Sequence, residues 1–129
     1  DCVVVAPSNP IVSIGPVLAV PGVREALEAK RADTVAVSPI VGGAALKGPA
    51  ARMLEELGHE CSAVGVARLY ASFASTLVID QVDADLAPAV ETSGIRAVVA
   101  DTIMSDSTRA AAVARATLAA LHHPDRGQS

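Results

Sequence analysis

Two stretches of this sequence combine residue types that bind anions. The first, "APSNPIVSIGP", follows an apolar run and contains Ser8, Asn9, Ser13 and Gly15. Hydroxyl and amide groups donate hydrogen bonds to phosphate, and a glycine before a helix lets a ligand approach the backbone. The stretch therefore predicts a cradle for a phosphate group. The alternative is a plain strand-to-helix connection made of turn residues.

The second stretch, "SPIVGGAALKGP", places Gly42, Gly43 and Lys47 ahead of a predicted helix. Free N–H groups, an ammonium and the helix dipole all favour negative charge at such a point. The spacing differs from that of a Walker loop, in which the lysine directly follows the second glycine. This stretch is a second candidate for phosphate binding. The alternative is that Lys47 is an ordinary solvated lysine.

Two further residues are candidates for additional contacts. Asp101 follows the last apolar run, where it could bind a metal-bridged phosphate or cap the next turn. Arg68 lies among apolar neighbours on a predicted helix, where it could bind a phosphate with two hydrogen bonds. Its alternative role is to cover apolar surface with its stem and keep its charge in water.

The remaining chemistry-bearing residues form no recognisable site. His59, His122 and His123 have no cysteine or carboxylate at metal-ligand spacing, and Cys2 and Cys61 form neither a metal pair nor a disulfide framework. We expect both thiols to be buried and inert in a reducing cytosol. The residues identify no metal site and no nucleophile triad, so the catalytic residues stay unassigned.

Composition excludes several classes of function. The formal net charge of -4 argues against a protein that binds a nucleic-acid backbone, and aromatic residues make up only 2% of the chain, too few to stack on bases. No apolar run approaches the ~20 residues of a membrane span, and no basic segment with a cleavage site begins the sequence. We therefore expect a cytoplasmic protein with neither nucleic acid nor membrane as partner.

Four short, β-branched-rich apolar runs alternate with helical patterns along the chain. These predicted strands comprise residues 2–6, 34–38, 76–79 and 97–100. Two helices are expected between the second and third strands, and Asp83 or Asp85 is expected to cap the helix before the fourth. The alternation predicts a doubly wound α/β domain over residues 1–121, with a mostly parallel sheet, followed by a polar tail at 122–129.

Ligands of doubly wound sheets bind outside the carboxyl ends of the strands. The two candidate stretches directly follow the first and second predicted strands. Since the carboxyl ends of parallel strands share one edge of a sheet, we expect Ser8, Asn9, Gly42, Gly43 and Lys47 to converge there.

Three long stretches resemble one known family. "APSNPIVSIGPVLAVPGVREAL", "AVSPIVGGAALKGPAARMLEELG" and "VIDQVDADLAPAVETSGIRAVVADTIM" resemble the 2-phospho-L-lactate transferase family, whose members make the deazaflavin coenzyme F420. The resemblance extends over roughly residues 1–121, in the same order and spacing. It implies a Rossmann-like α/β/α fold of three layers, with about four strands in this chain.

The resemblance also implies an activity. Family members need Mg²⁺ and transfer a phospholactyl or enolpyruvyl phosphate group from a guanosine diphosphate-linked donor to the deazaflavin Fo, releasing GMP. The intact protein is then expected to be a homo-oligomer. The alternative is a non-catalytic, nucleotide-sugar-binding regulator of the related gluconeogenesis-factor type. That group resembles a "GPGSLYTS" turn where this chain has "APSNPIVS".

The chain departs from the family pattern in two places. Family members carry a glycine-rich first turn and the aspartates for metal and deazaflavin in an N-terminal half, and the chain resembles only the C-terminal portion. We therefore expect the chain by itself to be inactive and to hold no metal. After "SPIVGG", where many members have a lysine, this chain has Ala44 and Ala45 and keeps only Lys47.

Overall fold

The computed structural model describes residues 2–7, 10–45, 50–102 and 107–121. The six strands are β1 (Val3–Val5), β2 (Thr34–Val37), β3 (Ile40–Val41), β4 (Ala44–Ala45), β5 (Thr76–Asp80) and β6 (Arg96–Ala100). The six α-helices are α1 (Gly15–Ala19), α2 (Val23–Ala29), α3 (Ala50–Glu56), α4 (Ala63–Tyr70), α5 (Ala87–Thr92) and α6 (Ser107–Leu121). A π-helical turn at Pro10–Ile14 precedes α1, and 3₁₀ turns span Arg31–Asp33 and Gln81–Leu86.

Four of the strands form one parallel sheet in the order β1-β2-β5-β6. This confirms the predicted α/β fold and its four strands, each within two residues of its predicted bounds. The strands form where valine, isoleucine and threonine cluster, since branched side chains fit a pleated surface buried on both faces. All residues of β2 and β5 are buried.

One face of the sheet carries the larger part of the core. Ala36, Leu77 and Ile79 point to this face and pack with side chains from the helices between the strands. Tyr70 and Phe73 belong to the same core, with their ring centroids 5.1 Å apart. Burial raises the pKa of Tyr70, whose hydroxyl has no hydrogen-bond partner within the described part of the chain.

The opposite face of the sheet packs against α6. Val35, Val37 and Val78 contact this helix through Val113 and Ala120. Because the register pairs Val4 with Val35, the side chain of Val4 points to this face too. The sheet thus has a helical layer on each side, as the three-layer interpretation predicts.

Helix α4 begins at a serine cap and depends on one glycine. The hydroxyl of Ser62 accepts hydrogen bonds from the amides of Val64 and Gly65, at 3.1 and 3.3 Å. A Cβ atom on Gly65 would lie 1.9 Å from the carbonyl oxygen of Glu60. No other residue therefore fits this position without displacing the backbone.

The prediction that Asp83 or Asp85 caps the helix before β6 is wrong. Asp80 accepts a hydrogen bond from the amide of Val82 at 3.0 Å and caps the 3₁₀ turn at Gln81–Leu86. Asp83 lies inside that turn, and α5 begins without a side-chain cap. This 3₁₀ turn lies between β5 and α5. The first amides without a backbone partner therefore belong to the turn, and Asp80, the last residue of β5, accepts a hydrogen bond from one of them.

Candidate functional site

The candidate site lies at the carboxyl ends of the four parallel strands. Because neighbouring strands run in the same direction, the residues that follow β1, β2, β5 and β6 lie along one edge of the sheet. Ser38 follows β2, Asp80 ends β5, and Asp101 follows β6. Ser8, Asn9 and Lys47 lie outside the described residues, so their predicted convergence with Gly42 and Gly43 stays a prediction.

The paired glycines form the turn of a small hairpin. Gly42 and Gly43 connect the antiparallel strands β3 and β4, with φ of 60° and 83°. A two-residue hairpin turn with both φ values positive is the type in which glycine is strongly preferred. The backbone conformation by itself therefore requires these glycines. The sequence signal for this hairpin is a Gly-Gly pair between two short apolar runs.

A buried carboxylate holds this hairpin. The amide of Gly42 lies 3.2 Å from both Oδ1 and Oδ2 of Asp83, which is only 4% exposed. On the other side of the turn, the thiol of Cys61 donates to the carbonyl of Gly43 at 3.0 Å. The amide of Gly42 thus already donates to a carboxylate of this chain. An anionic ligand would have to displace Asp83 to use this amide.

The hairpin is joined to β2 by a serine turn. The hydroxyl of Ser38 accepts from the amide of Ile40 at 3.2 Å and donates to its carbonyl at 3.1 Å. Both residues are almost fully buried. The path from the sheet to the glycine turn is therefore held by its own hydrogen bonds, which fixes the turn relative to the strand ends.

A second buried carboxylate joins the ends of β5 and β6. Oδ1 of Asp80 accepts from the amide and the hydroxyl of Thr102, at 2.8 and 3.0 Å. Burial by itself would raise the pKa of Asp80, but the hydrogen bonds from Val82 and Thr102 together lower it. Asp80 is therefore ionised at neutral pH, and it positions the chain that leads to Asp101. Asp80 and Thr102 are 22 residues apart, so no local sequence pattern indicates this pair.

The described part of the first candidate stretch is helical. Ser13 belongs to the π-helical turn at Pro10–Ile14, with an exposed side chain, and Gly15 begins α1. A Cβ atom on Gly15 would lie 3.2 Å from the carbonyl oxygen of Pro10, closer than most such contacts. Close packing of the turn on the helix thus explains this glycine, and Ser13 remains available to a ligand.

The two additional candidates are both at the surface. The guanidinium of Arg68 lies 3.5 Å from the carboxylate of Glu60, and the side chain is 62% exposed. This ion pair supports a surface role for Arg68, although the exposed pair could still exchange partners with an anion. Asp101 is exposed directly after β6.

The predicted burial of both thiols is wrong. Cys2 is exposed and Cys61 is partly exposed. Cys2 directly precedes β1. Burial of the Cys61 thiol and the nearby charge of Glu55 raise the pKa of Cys61, so the thiol is protonated at neutral pH.

The described residues offer no cluster of three or more histidine, cysteine, aspartate or glutamate side chains suited to a metal ion. Asp80 and Asp83 use both carboxylate oxygens in hydrogen bonds to this chain. Among the described residues, these two carboxylates therefore already accept hydrogen bonds from the chain's own donors. Within the same described ranges, no helix has the length and apolar character needed to cross a membrane.

Comparison with known proteins gives consistent matches. The sequence profile described as 2-phospho-L-lactate transferase CofD matches residues 1–119. The chain is 44% identical over 109 residues to the 2-phospho-L-lactate transferase of Methanosarcina acetivorans, covering 84% of this chain and 35% of that protein. It is 44% identical over 119 residues to the phosphoenolpyruvate transferase of Streptomyces griseus, covering 92% of this chain and 37% of that protein. The chain thus spans about a third of the length of these relatives.

Proposed function

Because this chain belongs to the 2-phospho-L-lactate transferase CofD family, we propose that it acts as part of a transferase of coenzyme F420 biosynthesis. The observation that carries the proposal is the match of the family profile to residues 1–119. Relatives with 44% identity are named 2-phospho-L-lactate transferase and phosphoenolpyruvate transferase. These names favour the enzyme over the nucleotide-sugar-binding regulator.

The proposed reaction is a transfer of a substituted phosphate group. A hydroxyl oxygen of Fo forms a new bond to the phosphorus that bears the lactyl or enolpyruvyl group. The bond between that phosphorus and the bridging oxygen breaks, GMP leaves with the bridging oxygen, and the hydroxyl proton is released. Such a transfer depends on positioning the groups and neutralising charge more than on covalent catalysis.

This chain contributes the surface that binds the donor phosphates. The hairpin turn at Gly42 and Gly43 is fixed by Asp83 and Ser38 near the strand ends, where ligands of such sheets bind. Lys47 follows this hairpin in the sequence and supplies a cation. Ser8, Asn9, Ser13 and Gly15 form the second wall in the proposal, with Arg68 and Asp101 as outer contacts.

The magnesium ion of the reaction is held by residues that this chain does not supply. The carboxylates of Asp80 and Asp83 are occupied by hydrogen bonds, as described above. When bound, the metal would neutralise charge on the donor phosphates. The Fo site is likewise assigned to the part of full-length family members that this chain does not span.

A chimera tests the proposal. In it, this chain replaces the matching segment of the Methanosarcina acetivorans transferase, and GMP release is measured with Fo, Mg²⁺ and either the lactyl or the enolpyruvyl donor. We expect the chimera to release GMP and the chain alone to release none. A folded chimera that turns over neither donor would contradict the proposal.

Lys47 provides the sharpest variant within this test. Lys47→Ala in the chimera should weaken binding of the donor by about 1.5–3 kcal/mol, the usual range for a hydrogen bond to a charged group. Lys30→Ala is the matched control, because Lys30 is exposed just before β2, at the amino ends of the strands. Calorimetry that finds equal donor affinity for both variants would make Lys47 an ordinary surface lysine.

A further inference from the structure

Val82 is an exposed apolar residue beside the glycine turn of the β3–β4 hairpin. It is the second residue of the 3₁₀ turn at Gln81–Leu86, which follows the carboxyl end of β5. Its amide donates to Oδ2 of Asp80 at 3.0 Å, and the residue is 61% exposed. The backbone of Val82 is therefore fixed to the end of the sheet, while its side chain is left to solvent.

The missing side chain of Gly42 leaves an open space next to Val82. A Cβ atom on Gly42 would lie 3.9 Å from Cγ2 of Val82, which is an ordinary van der Waals distance. Apart from the glycine's own neighbours in the chain, no other atom of the described residues lies within 4 Å of that point. A ligand group that approaches Gly42 from this side therefore passes alongside the methyl groups of Val82.

The other groups that hold this turn are polar and already bonded to it. Asp83 accepts from the amide of Gly42, and Cys61 donates to the carbonyl of Gly43. Single exposed valines are common on protein surfaces, so exposure alone carries no argument. Val82 differs because it is fixed at the edge of the sheet where ligands bind, with its side chain against a glycine. It offers an apolar contact for a small ligand group.

The proposed donor has such a group. In the proposed function its phosphates lie at this hairpin turn, and the terminal phosphate carries a three-carbon acid. The lactyl form of that acid has a methyl group and the enolpyruvyl form has a methylene group, each a few bonds from the phosphorus. Both are small and apolar, whereas guanine is a larger ring with polar edges.

We infer that Val82 contacts the methyl or methylene group of the three-carbon acid, and that it selects donors that carry this acid over the bare nucleotide. The inference rests on the proposed function, because it needs the donor phosphates at the hairpin turn. Val82 is a specificity residue in this assignment, and it takes no part in bond formation.

Ligand binding to the chimera described above tests this inference. Calorimetry with Mg²⁺ and without Fo, so that no group is transferred, measures the affinities for guanosine diphosphate (GDP), the lactyl donor and the enolpyruvyl donor. GDP is the matched ligand, because it has the same nucleotide and lacks the three-carbon acid. The substitution is Val82→Ala. Val20→Ala is the control, because Val20 is 52% exposed and lies outside both candidate stretches.

Val82→Ala should weaken binding of the preferred three-carbon donor about three- to tenfold and leave the affinity for GDP unchanged. The expected loss is at or below the low end of the ~10–200-fold range for a methylene in an enclosed apolar pocket, because Val82 is open to solvent. Val20→Ala should change none of the three affinities. An unchanged donor affinity in Val82→Ala would overturn the inference. So would an equal loss for GDP and the donor, which would assign Val82 to the nucleotide.

Gly42→Ala gives an independent measurement. Its added methyl group stands on the open side of the turn, next to an intact Val82. We expect this variant to lose more affinity for the three-carbon donor than for GDP. A ratio of the two affinities equal to that of the parent chimera would also overturn the inference.

The outcomes separate this inference from the proposed function. A chimera that releases GMP, and whose Val82→Ala variant keeps all three affinities, would support the proposed function and overturn the inference. Selective loss of donor affinity in Val82→Ala, in a chimera that releases no GMP, would support the inference and contradict the proposed transfer. A chimera that binds none of the three ligands would contradict both.

Discussion

Asp80 and Asp83 are three residues apart and stabilise different parts of the candidate site. Asp80 connects the ends of β5 and β6 through Thr102, and Asp83 holds the hairpin turn through Gly42. Both are almost fully buried, where a carboxylate is tolerated only when its oxygens are hydrogen-bonded. The two residues therefore act on backbone position rather than on a ligand directly.

Asp80→Asn should lower the free energy of unfolding at pH 7 by about 1–3 kcal/mol, since one acceptor oxygen becomes an amide group facing an N–H donor. Because folding lowers the pKa of Asp80 below its unfolded value of about 3.9, its contribution exists at neutral pH and is lost as pH falls through the folded pKa. Urea unfolding at several pH values measures the difference between variant and parent.

Asp85→Asn is the matched control, because Asp85 is exposed in the same turn. Its effect should be small at every pH. A difference for Asp80→Asn that stays constant down to acidic pH would show that the ionised form is not what stabilises the fold.

At the scale of single elements, the β3–β4 hairpin connects the sheet to the proposed donor site. The hairpin is held from three sides by Ser38, Cys61 and Asp83. The conformational entropy of such a turn is lost when the chain folds, so little more is lost when a ligand binds. Asp83 is consequently a positioning residue for the donor in the proposed function.

Asp83→Ala in the chimera should weaken donor binding about tenfold or less, because the turn loses one charge-assisted contact while its glycine conformation persists. Asp85→Ala again serves as control, and calorimetry with the guanosine diphosphate-linked donor gives the affinities. Tighter binding by Asp83→Ala would mean instead that Asp83 competes with the donor for the amide of Gly42.

Helix α4 allows a test of close packing. Gly65→Ala should destabilise the chain by more than about 2 kcal/mol, although alanine in a helix interior ordinarily stabilises by up to about 1 kcal/mol relative to glycine. The reason is the 1.9 Å approach of the added carbon to the Glu60 oxygen. Unfolding by urea measures the change, and a neutral or stabilising result would disprove the close approach.

Gly58→Ala provides the comparison. Gly58 has a φ of 83° but open space around its missing side chain. Its substitution should cost only the ~1–2 kcal/mol of a left-handed backbone. A larger loss of stability for Gly65→Ala than for Gly58→Ala would therefore show that steric overlap costs more than a left-handed backbone conformation.

The sequence predicted the main elements because their signals are local. Alternation of branched apolar runs with helical spacing located β1, β2, β5 and β6, and the same signals predicted two helices between β2 and β5. The hairpin was missed because β3 and β4 have only two residues each, too few for an alternating pattern. The prediction of Asp83 or Asp85 as a helix cap failed because a 3₁₀ turn intervenes.

The site was less predictable because its contacts join distant parts of the chain. Asp83 bonds Gly42 across 41 residues, and Asp80 bonds Thr102 across 22. No spacing rule connects such residues before the sheet order is known. The sequence indicates Gly42 and Gly43 as anion-binding candidates, which stays a prediction, whereas the structure shows that they form a hairpin turn.

At the scale of the whole molecule, β5 lies inside the described sheet and β1 lies at its edge. β5 has a paired strand on both sides and five consecutive buried residues. Within the described structure, β1 has three residues and a partner on one side, and an apolar groove lies between it and α6. β1 is therefore held by fewer contacts than β5.

This inequality has a consequence for exchange of backbone hydrogens with deuterium. The amides of β5 should exchange only through global unfolding, whereas those of β1 should exchange through local fraying, at least about a hundredfold faster. Mass spectrometry of peptic peptides from the chain alone measures both rates. Equally slow exchange in the two strands would show that β1 is as firmly held as the centre of the sheet. In the chimera, exchange of the peptide containing Val3–Val5 should slow toward the rate of β5, so that β1 reports whether the two segments of the chimera unfold as one cooperative unit.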